Sequence, residues 1–166
     1  MEKILIIGCS CSGKSTLARA LAEKKGIPLV HLDQLWWKSG WENVSIEEFD
    51  ARLDRALDME SWIIDGNFSR TMPLRLSRCD TIIYLDFNRW QCLLGMVQRL
   101  LESRGKVRQD MPRGCPERFD WEFVKWIWNF NRNNRNMNYT WISQAKHAKA
   151  IILKNRKEVK AFLESL

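Results

Sequence analysis

Residues 8–15 read Gly8-Cys9-Ser10-Cys11-Ser12-Gly13-Lys14-Ser15 and match the pattern G-x-x-x-x-G-K-[ST] at every fixed position. The branched apolar run Lys3–Ile7 before them predicts a buried strand, and Ser15–Lys25 after them predicts a helix. In that setting the glycines let backbone N–H groups turn inward around phosphate oxygens, and the helix N-terminus adds the positive end of its dipole. A chance match in a chain of this length is on the order of one in a hundred. The stretch therefore predicts a phosphate-binding loop, against the alternative of a glycine-rich turn.

The pattern predicts how residues of the loop bind a nucleotide. Lys14 is expected to reach the β- and γ-phosphates, and the Ser15 hydroxyl to ligate Mg²⁺. Cys9 and Cys11 occupy variable positions, where packing or solvent exposure is expected of the side chain. The predicted nucleotide-binding set is Gly8, Cys9, Ser10, Cys11, Ser12, Gly13, Lys14, Ser15 and Thr16, with ATP and Mg²⁺ as cofactors.

The rest of the chain alternates short apolar runs with amphipathic ones. Further strands are predicted at Leu29–Leu32, Trp62–Ile64, Thr81–Leu85 and Ala150–Leu153. Further helices are predicted from a capping box at Ser45 and Glu48 toward Leu57, from Asn88 to about residue 101, and over Glu117–Asn131, Trp141–Lys146 and Lys157–Leu166. Strands separated by helices predict an α/β fold with a parallel sheet covered on both faces.

Composition narrows the protein class. A chain of 166 residues that is 45% hydrophobic predicts one domain with a substantial core. No run approaches the roughly 18 consecutive apolar residues of a membrane helix, and Ile4–Ile7 is too short for a signal-peptide core. Five cysteines without a C-x-x-C pair do not suggest a disulfide scaffold or a zinc site. We therefore expect a cytoplasmic protein.

The net charge of +7 is unevenly distributed. Residues 1–65 carry 8 basic and 11 acidic side chains, whereas residues 66–166 carry 19 and 9. A basic second half favours polyanionic partners, such as nucleotide phosphates, nucleic acid or an acidic membrane surface. Charge alone does not choose among them.

Phosphate loops occur in kinases, GTPases and mechanical ATPases. The Asn-Lys-x-Asp and Asp-x-x-Gly motifs of a GTPase do not occur in this sequence, and Asp65-Gly66 has a different spacing. Large remodelling ATPases need a longer chain. A compact kinase remains.

Five stretches resemble the bacterial DNA topology modulation proteins, a branch of the adenylate-kinase-related phosphate-loop kinases. They are residues 8–15, His31-Leu32-Asp33-Gln34-Leu35-Trp36-Trp37, Trp62-Ile63-Ile64-Asp65-Gly66-Asn67-Phe68, Gly114-Cys115-Pro116-Glu117 and Ile152-Leu153-Lys154-Asn155. The resemblance implies a P-loop NTPase fold, a three-layer α/β/α arrangement with a five-stranded parallel sheet in the order 2-3-1-4-5. It also implies a lid inserted after the fourth strand, which we place at about residues 104–118 within one domain spanning residues 1–166.

Acidic residues follow three of the predicted strands. Asp65 is similar to the Asp of an Asp-Gly pair in adenylate kinases and is our candidate metal ligand with Ser15. Asp86 also ends an apolar strand, but an Asp just before a helix is more often a cap or a turn residue. Asp33 follows the second strand and is a candidate base for an acceptor hydroxyl, with a simple turn residue as the alternative. His31, alone on a strand, is more often structural.

Basic and aromatic residues complete the predicted site. Arg70 resembles an acceptor-phosphate arginine of adenylate kinases, although the run that contains it is one residue longer and lacks the proline. Arg99 and Arg108 are the candidate catalytic arginines of the lid, acting with Lys14 and Asp33. Trp36 and Trp37 either line an acceptor pocket or pack in the core. The predicted substrate-binding set is Asp33, Trp36, Trp37, Asp65 and Arg70.

Two functions remain open at this point. The first is a small-molecule kinase of the nucleotide- or nucleoside-kinase type, with Mg·ATP as donor and an unidentified acceptor. The second is an ATP-binding regulator that acts on DNA topology, which the basic second half favours although no nucleic-acid-binding motif occurs.

Overall fold

The computed structural model describes residues 1–103, 110–115 and 119–166. It contains the strands β1 (Lys3–Gly8), β2 (Leu29–His31), β3 (Trp62–Asp65), β4 (Thr81–Leu85) and β5 (Lys149–Leu153). All neighbouring strands are parallel, and their order in the sheet is β2-β3-β1-β4-β5. The predicted sheet order is confirmed.

Seven helices lie in the described part of the chain. They are α1 (Lys14–Lys25), α2 (Leu32–Trp36), α3 (Ile46–Leu57), α4 (Met72–Arg78), α5 (Arg89–Ser103), α6 (Trp121–Gln144) and α7 (Arg156–Glu164). Single 3₁₀ turns occur at Ser39–Trp41 and Ser69–Thr71. Ser45 accepts a hydrogen bond from the Glu48 N–H at 3.1 Å, which confirms the predicted cap of α3.

β1 lies in the middle of the sheet and is buried on both faces. Ile4, Leu5, Ile6 and Ile7 are all fully buried. Their side chains alternate between two apolar clusters, as the period of two in a strand requires. One cluster contains residues of α1, α5 and α7, and the other contains residues of α3 and α4. The sheet is therefore covered by helices on both faces.

α6 departs from the sequence prediction. Helices were expected at Glu117–Asn131 and Trp141–Lys146, with a break between them, but one helix runs over Trp121–Gln144. The intervening stretch is rich in asparagine, which has a low helix propensity. Here Asn134 and Thr140 donate side-chain hydrogen bonds to carbonyls one turn earlier in the same helix, and Asn131 donates to the Phe87 carbonyl of the sheet edge at 2.9 Å. Of these contacts, the bond of Asn131 ties the helix to the end of the sheet where apolar periodicity is weak.

Further differences concern the region after β2, the helix α4 and the lid. The strand predicted at Leu29–Leu32 ends at His31, because α2 begins at Leu32. The helix α4 was not predicted. Residues 104–109 and 116–118 of the predicted lid, which include Arg108, lie outside the described residues. Among the residues that are described, no helix combines the length and the apolar character needed to cross a bilayer.

Asp86, at the end of β4, anchors α6 to the sheet. Its side chain is fully buried and accepts hydrogen bonds from the Arg135 guanidinium at 2.7 and 3.2 Å, from the Tyr139 hydroxyl at 2.8 Å and from the Tyr84 hydroxyl at 3.2 Å. The sequence suggested a cap or a turn residue for Asp86; the cap is wrong, since the carboxylate binds side chains of β4 and α6. The preference for Asp65 over Asp86 as the cleft carboxylate agrees with this placement.

We expect Arg135→Gln to lower the free energy of unfolding by about 1–3 kcal/mol, because the variant removes two charge-assisted hydrogen bonds from a buried carboxylate. Urea denaturation measures the change. Arg132→Gln, an exposed position one turn earlier on α6, is the control and should shift the midpoint little. Equal losses in the two variants would contradict the anchoring role of Asp86.

Candidate active site

The phosphate loop leaves the carboxyl end of β1 and leads directly into α1. Backbone hydrogen bonds from Ser12 N–H to the Cys9 carbonyl (3.3 Å) and from Leu17 N–H to the Gly13 carbonyl (2.9 Å) shape the turn. The Cys9 carbonyl also accepts from the Ser12 hydroxyl at 2.8 Å and from the Lys14 ammonium at 2.9 Å. Lys14 is thereby held over the loop, close to where the pattern places the phosphates.

Asn67 joins the start of the phosphate loop to the end of the neighbouring strand. Its amide accepts from the Gly8 N–H at 3.2 Å and donates to the Gly8 carbonyl at 2.9 Å. Parallel pairing of β1 with β3 sets Ile6 opposite Asp65, which brings the residue two positions after Asp65 beside Gly8. Gly8 has φ +145°, and a Cβ there would lie 2.7 Å from the Leu85 carbonyl oxygen, so the loop can leave the sheet here only from a glycine.

His31 and Asp65 form a buried pair at the ends of β2 and β3. The His31 Nδ1 lies 2.7 Å from the Asp65 Oδ2, and both side chains are less than a tenth exposed. The two residues are register partners, so strand pairing alone places them side by side. The sequence expectation of a structural histidine was incomplete, because His31 orients the carboxylate that we assigned to the site.

α5 passes close behind the phosphate loop. Gly95 of α5 is packed against the Cys11 carbonyl, and a Cβ at that position would overlap it. One turn earlier, the Cys92 thiol hydrogen-bonds with Cys9, and this bond together with burial raises the pKa of Cys9 above its usual value. Cys9 therefore stays a protonated, packed thiol at neutral pH, as expected of a variable loop position.

The loop lies in a cleft with a volume of about 1120 Å³ at the carboxyl edge of the sheet. Loops after β2, β3, β4 and β5 reach the same cleft, which is where parallel α/β sheets bind their ligands. Its walls include Ser10–Thr16, Arg19, Asp33, Trp37, Trp41, Asp65–Phe68, Phe87, Gly95, Gln98, Arg99, Asp110, Met111, Phe123, Trp126 and Arg156.

The cleft brings together some of the predicted site residues and leaves out others. Asp33, Trp37, Asp65 and Arg99 line it with the phosphate loop. Trp36 instead packs edge-to-face against Phe49 at 5.5 Å and against Phe68 at 5.9 Å, in the cluster beneath the cleft. Two positions were considered for this pair, the core and an acceptor pocket. Trp36 packs in the core, whereas Trp37 lines the cleft.

Arg70 does not lie among the cleft residues. Its guanidinium forms a bidentate ion pair with Asp50 of α3, at 2.5 and 3.0 Å, on the surface. The Asp50 partner raises the pKa of Arg70 and lowers that of its own carboxyl. In this structure Arg70 is engaged with α3, away from the position expected for an acceptor-phosphate ligand.

Arg75 has a role that the sequence did not reveal. It is fully buried, and its guanidinium donates to the carbonyls of Gly66, Asn67 and Phe68 at 2.5–2.9 Å. Burial lowers the pKa of Arg75 to about 9, so the side chain is still charged at neutral pH. Arg75 therefore stabilises the turn that carries Asn67.

The opposite wall of the cleft carries aromatic, basic and acidic side chains, the acidic ones being Glu102 and Asp120. The Arg99 guanidinium lies 5.1 Å from the centre of the Phe123 ring, and Phe123 stacks on Trp126 with ring centres 6.0 Å apart. Arg156, the first residue of α7, donates to the Gln98 side chain at 3.0 Å. Arg108, the other predicted lid arginine, lies outside the described residues.

The donors present suit a magnesium ion that also binds phosphates. Mg²⁺ prefers hard oxygen ligands and is commonly held by one or two protein groups together with substrate phosphates. Ser15 and Asp65 supply a hydroxyl and a carboxylate to the same cleft, and His31 fixes the orientation of the carboxylate. Within the described residues no cluster of three or more His, Cys, Asp or Glu could hold a metal by itself.

The sequence did not predict the roles of several of these residues, because the roles depend on which distant residues the fold brings next to them. Asn67 follows Asp65 by two residues, and only the β1–β3 register shows that it faces Gly8. Gly95 is a mid-helix glycine, whose cost to helix stability hints at a close contact. Nothing local in the sequence distinguishes the buried Arg75 from the exposed Arg78 three residues later.

Comparison with known proteins supports the fold. Residues 3–32 match the model of the AAA_28 family, described as an AAA domain. No curated protein matches the sequence significantly. Solved structures with the same fold include a shikimate kinase from Bacteroides thetaiotaomicron (17% identity, TM-score 0.56, covering 98% of this chain and 94% of the other). A gluconokinase from Sinorhizobium meliloti 1021 has 14% identity and a TM-score of 0.58, covering 99% and 92% of the two chains.

A third similar structure is a shikimate kinase from Acinetobacter baumannii in complex with shikimate, at 14% identity and a TM-score of 0.57, covering 99% and 90% of the two chains. At these identities the likeness shows the fold alone. The chain has the P-loop kinase-like fold over nearly its whole length.

We expect Arg75→Met to lower the free energy of unfolding by about 3–5 kcal/mol, because three partly buried carbonyls of residues 66–68 lose their charged donor. Chemical denaturation measures this loss. Arg78→Met, on the same helix but exposed and 3.5 Å from Asp58, is the matched control and should cost less than about 1 kcal/mol. A loss of similar size in both variants would show that Arg75 does not hold the turn.

Proposed function

We propose that this protein transfers the γ-phosphoryl group of ATP to a hydroxyl group of a small molecule. The observation that carries the proposal is a single cleft that joins an intact phosphate loop to Asp33 and Asp65. A nucleotide-binding module without catalysis needs the loop but has no need of a carboxylate beside an acceptor. The likeness in fold to a shikimate kinase and a gluconokinase agrees with this reaction class.

The donor nucleotide is bound by the loop and by Lys14. Backbone N–H groups of residues 8–15 face the phosphates, and the Lys14 ammonium has three donors, of which the Cys9 carbonyl accepts one. Ser15 and Asp65 would hold Mg²⁺, which supplies charge neutralisation across the β- and γ-phosphate oxygens. His31 keeps the Asp65 carboxylate in place through its 2.7 Å hydrogen bond.

Asp33 acts on the acceptor. Its carboxylate takes the proton of the acceptor hydroxyl while that oxygen bonds to the γ-phosphorus, and the bond to the bridging oxygen breaks with its electron pair leaving on ADP. Asp33 lies in the first turn of α2 and lines the cleft beside Trp37. The short helix after β2 thus presents the base from the rigid edge of the sheet.

Arg99 stabilises the charge that spreads over the transferring group. Its guanidinium lies near the Phe123 ring, and Arg99 lines the same cleft as the phosphate loop, where the transferring group would be bound. For Arg108 and the lid at residues 104–118, the same role stays a prediction: neutralisation of charge and exclusion of water.

The alternative function, action on DNA, also stays a prediction, and gel shifts with duplex DNA at two salt concentrations test it.

We expect Lys14→Ala to lower kcat/KM for ATP by about 10²–10³-fold, because it removes a cation that binds the phosphates more strongly in the transition state. Coupled ADP release in the presence of a panel of hydroxyl compounds measures the rate. Lys25→Ala, at the exposed end of the same helix, is the matched control and should match the unaltered protein.

Two results would contradict the proposed function. One is ATP turnover that no acceptor raises above slow hydrolysis. The other is an equal kcat/KM for ATP in Lys14→Ala and Lys25→Ala, measured by the same coupled release of ADP.

We expect His31→Gln to raise the Mg²⁺ concentration needed for half-maximal turnover by about 10-fold or more, because the partner that orients the metal-binding carboxylate is lost. A Mg²⁺ titration at constant free ATP measures the shift. The chain contains one other histidine, His147, which bonds to the Leu76 carbonyl at 3.0 Å away from the cleft. His147→Gln should leave the Mg²⁺ dependence unchanged, and an equal shift in both variants would exclude the positioning role.

A further inference from the structure

We infer that α5 packs antiparallel against the α5 helix of a second copy of this chain, in a symmetric dimer. The contact surface is an exposed apolar face, called the α5 face below, which consists of Trp90, Leu94, Val97 and Leu101 together with Trp128 of α6. The inference goes beyond the proposed function and does not depend on it.

The helix α5 carries apolar side chains on two opposite sides. Cys92 and Met96 are buried in the core, and Leu93 and Leu100 pack partly against it. The four residues that α5 contributes to the α5 face are 62%, 69%, 49% and 78% exposed, in chain order. At 3.6 residues per turn these four lie within about 60° of one another, on the side of the helix away from Cys92. The core therefore accounts for one apolar side of α5 and leaves the other exposed to solvent.

The spacing of the α5 face is that of a contact between two helices. Its α5 residues follow one another at intervals of four, three and four, as do the a and d positions of a heptad repeat. The positions that flank such a contact are Gln91 and Gln98 on one side and Leu93 and Leu100 on the other. All four flanking side chains are uncharged, so an identical helix can pack along the face without meeting a like charge there.

Trp128 of α6 widens the face. Its ring packs edge-to-face against Trp90 with ring centres 5.1 Å apart, and 39% of the residue is exposed. The five residues of the α5 face leave on the order of 500 Å² of apolar surface in contact with solvent, close to the upper limit for the largest patch on a typical monomer. Pairing of two copies would bury roughly 1,000 Å² of apolar surface, and with a polar border the contact reaches the size of the smaller stable interfaces.

An antiparallel arrangement makes the α5 face complementary to itself. With a two-fold axis at the level of residues 95 and 96, Leu94 lies opposite Val97 of the second copy, and Trp90 lies opposite Leu101 of the second copy. The axis repeats each of these contacts, so both copies use the same surface and the assembly is closed. A parallel pair would set the two Trp90 rings at one level and the two smaller Val97 side chains at another, which spaces the helices unevenly.

The charges of α5 favour the same arrangement. The helix has three charged side chains, Arg89, Arg99 and Glu102, and Arg99 lies on the cleft side, away from the α5 face. Antiparallel pairing brings the Arg89 end of each helix to the Glu102 end of the other, where unlike charges and opposite ends of the helix dipoles attract. A nucleic acid or an anionic lipid surface calls for basic side chains along the contact, and neither the α5 face nor its four flanking positions, all of them described, provide any.

Pairing leaves the cleft open. The residues that line the cleft include none of the five residues of the α5 face, as far as the described part of the chain shows. α5 is also the helix whose Gly95 packs against the Cys11 carbonyl of the phosphate loop. The helix that supports the loop would therefore make the dimer contact from another of its sides.

Sedimentation velocity of the full chain at about 1–100 µM tests the inference, since contacts of this size hold dimers with dissociation constants in the micromolar range. We expect a species of twice 19.7 kDa. Leu94→Glu places a carboxylate of each copy in the centre of the apolar contact and should weaken the dimer at least about 100-fold. Leu74→Glu, at a leucine of α4 that is 40% exposed, is the matched control and should remain dimeric. Far-UV circular dichroism of both variants shows that the fold is retained.

A mixture of two variants tests the antiparallel register. Leu94→Glu and Val97→Lys should each be monomeric alone, whereas an equimolar mixture should form a dimer, because the introduced carboxylate of one copy lies opposite the introduced ammonium of the other. A mixture that stays monomeric would overturn the antiparallel pairing.

Two further results would overturn the inference. One is an unaltered protein that is monomeric at about 100 µM, or a Leu94→Glu variant that dimerises as the unaltered protein does. The other is a monomer that cosediments with vesicles of phosphatidylcholine and phosphatidylglycerol and loses this binding in Leu94→Glu, which would assign the α5 face to a lipid surface. None of these measurements involves ATP or turnover, so their outcome is independent of the kinase reaction.

Discussion

The hydrogen bonds that join the ends of β1, β2 and β3 hold the candidate site together. Asn67 spans the Gly8 N–H and carbonyl, and His31 binds the carboxylate of Asp65. Both contacts follow from parallel register, because partners on neighbouring strands end at the same edge of the sheet. Parallel strands whose ends were shifted by one residue would direct these side chains to the opposite face. The register of the sheet therefore determines the positions of the phosphate loop and of the carboxylate beside it.

A second layer of contacts stabilises the first. Arg75 is bonded to the turn that carries Asn67, and Asp86 ties α6 to the end of β4. In both cases a buried charge is satisfied by several hydrogen bonds, which is the condition under which burial of a charge is tolerated. These bonds make the loops that reach the cleft nearly as rigid as the strands they follow. Functional groups on rigid elements keep their geometry.

The sequence predicted the elements whose signals are local. The phosphate loop, five strands and the cap at Ser45 rest on patterns of a few neighbouring residues, and the structure contains them. The break expected within α6 was wrong, since Asn131, Arg135 and Tyr139 bond this segment to the end of β4, and no local propensity expresses such contacts. The roles of Asn67, Arg75 and Trp36 likewise depend on which distant residues they meet. Arg70 and Arg75 are five residues apart, yet one lies in a surface ion pair and the other is fully buried.

The same kind of pairing decides which basic side chains of this chain, whose net charge is +7, line the cleft. On the side of β2 and β3, Lys38, Arg70 and Arg75 are bonded to carboxylates of α3 or to backbone carbonyls, and none of the three lines the cleft. Those on the opposite wall, Arg99 and Arg156, face it. Whether one of these basic side chains lines the cleft thus depends on its pairing and not on the composition of the nearby sequence. Exchange of a surface partner such as Asp50 would release Arg70 without altering a single cleft residue.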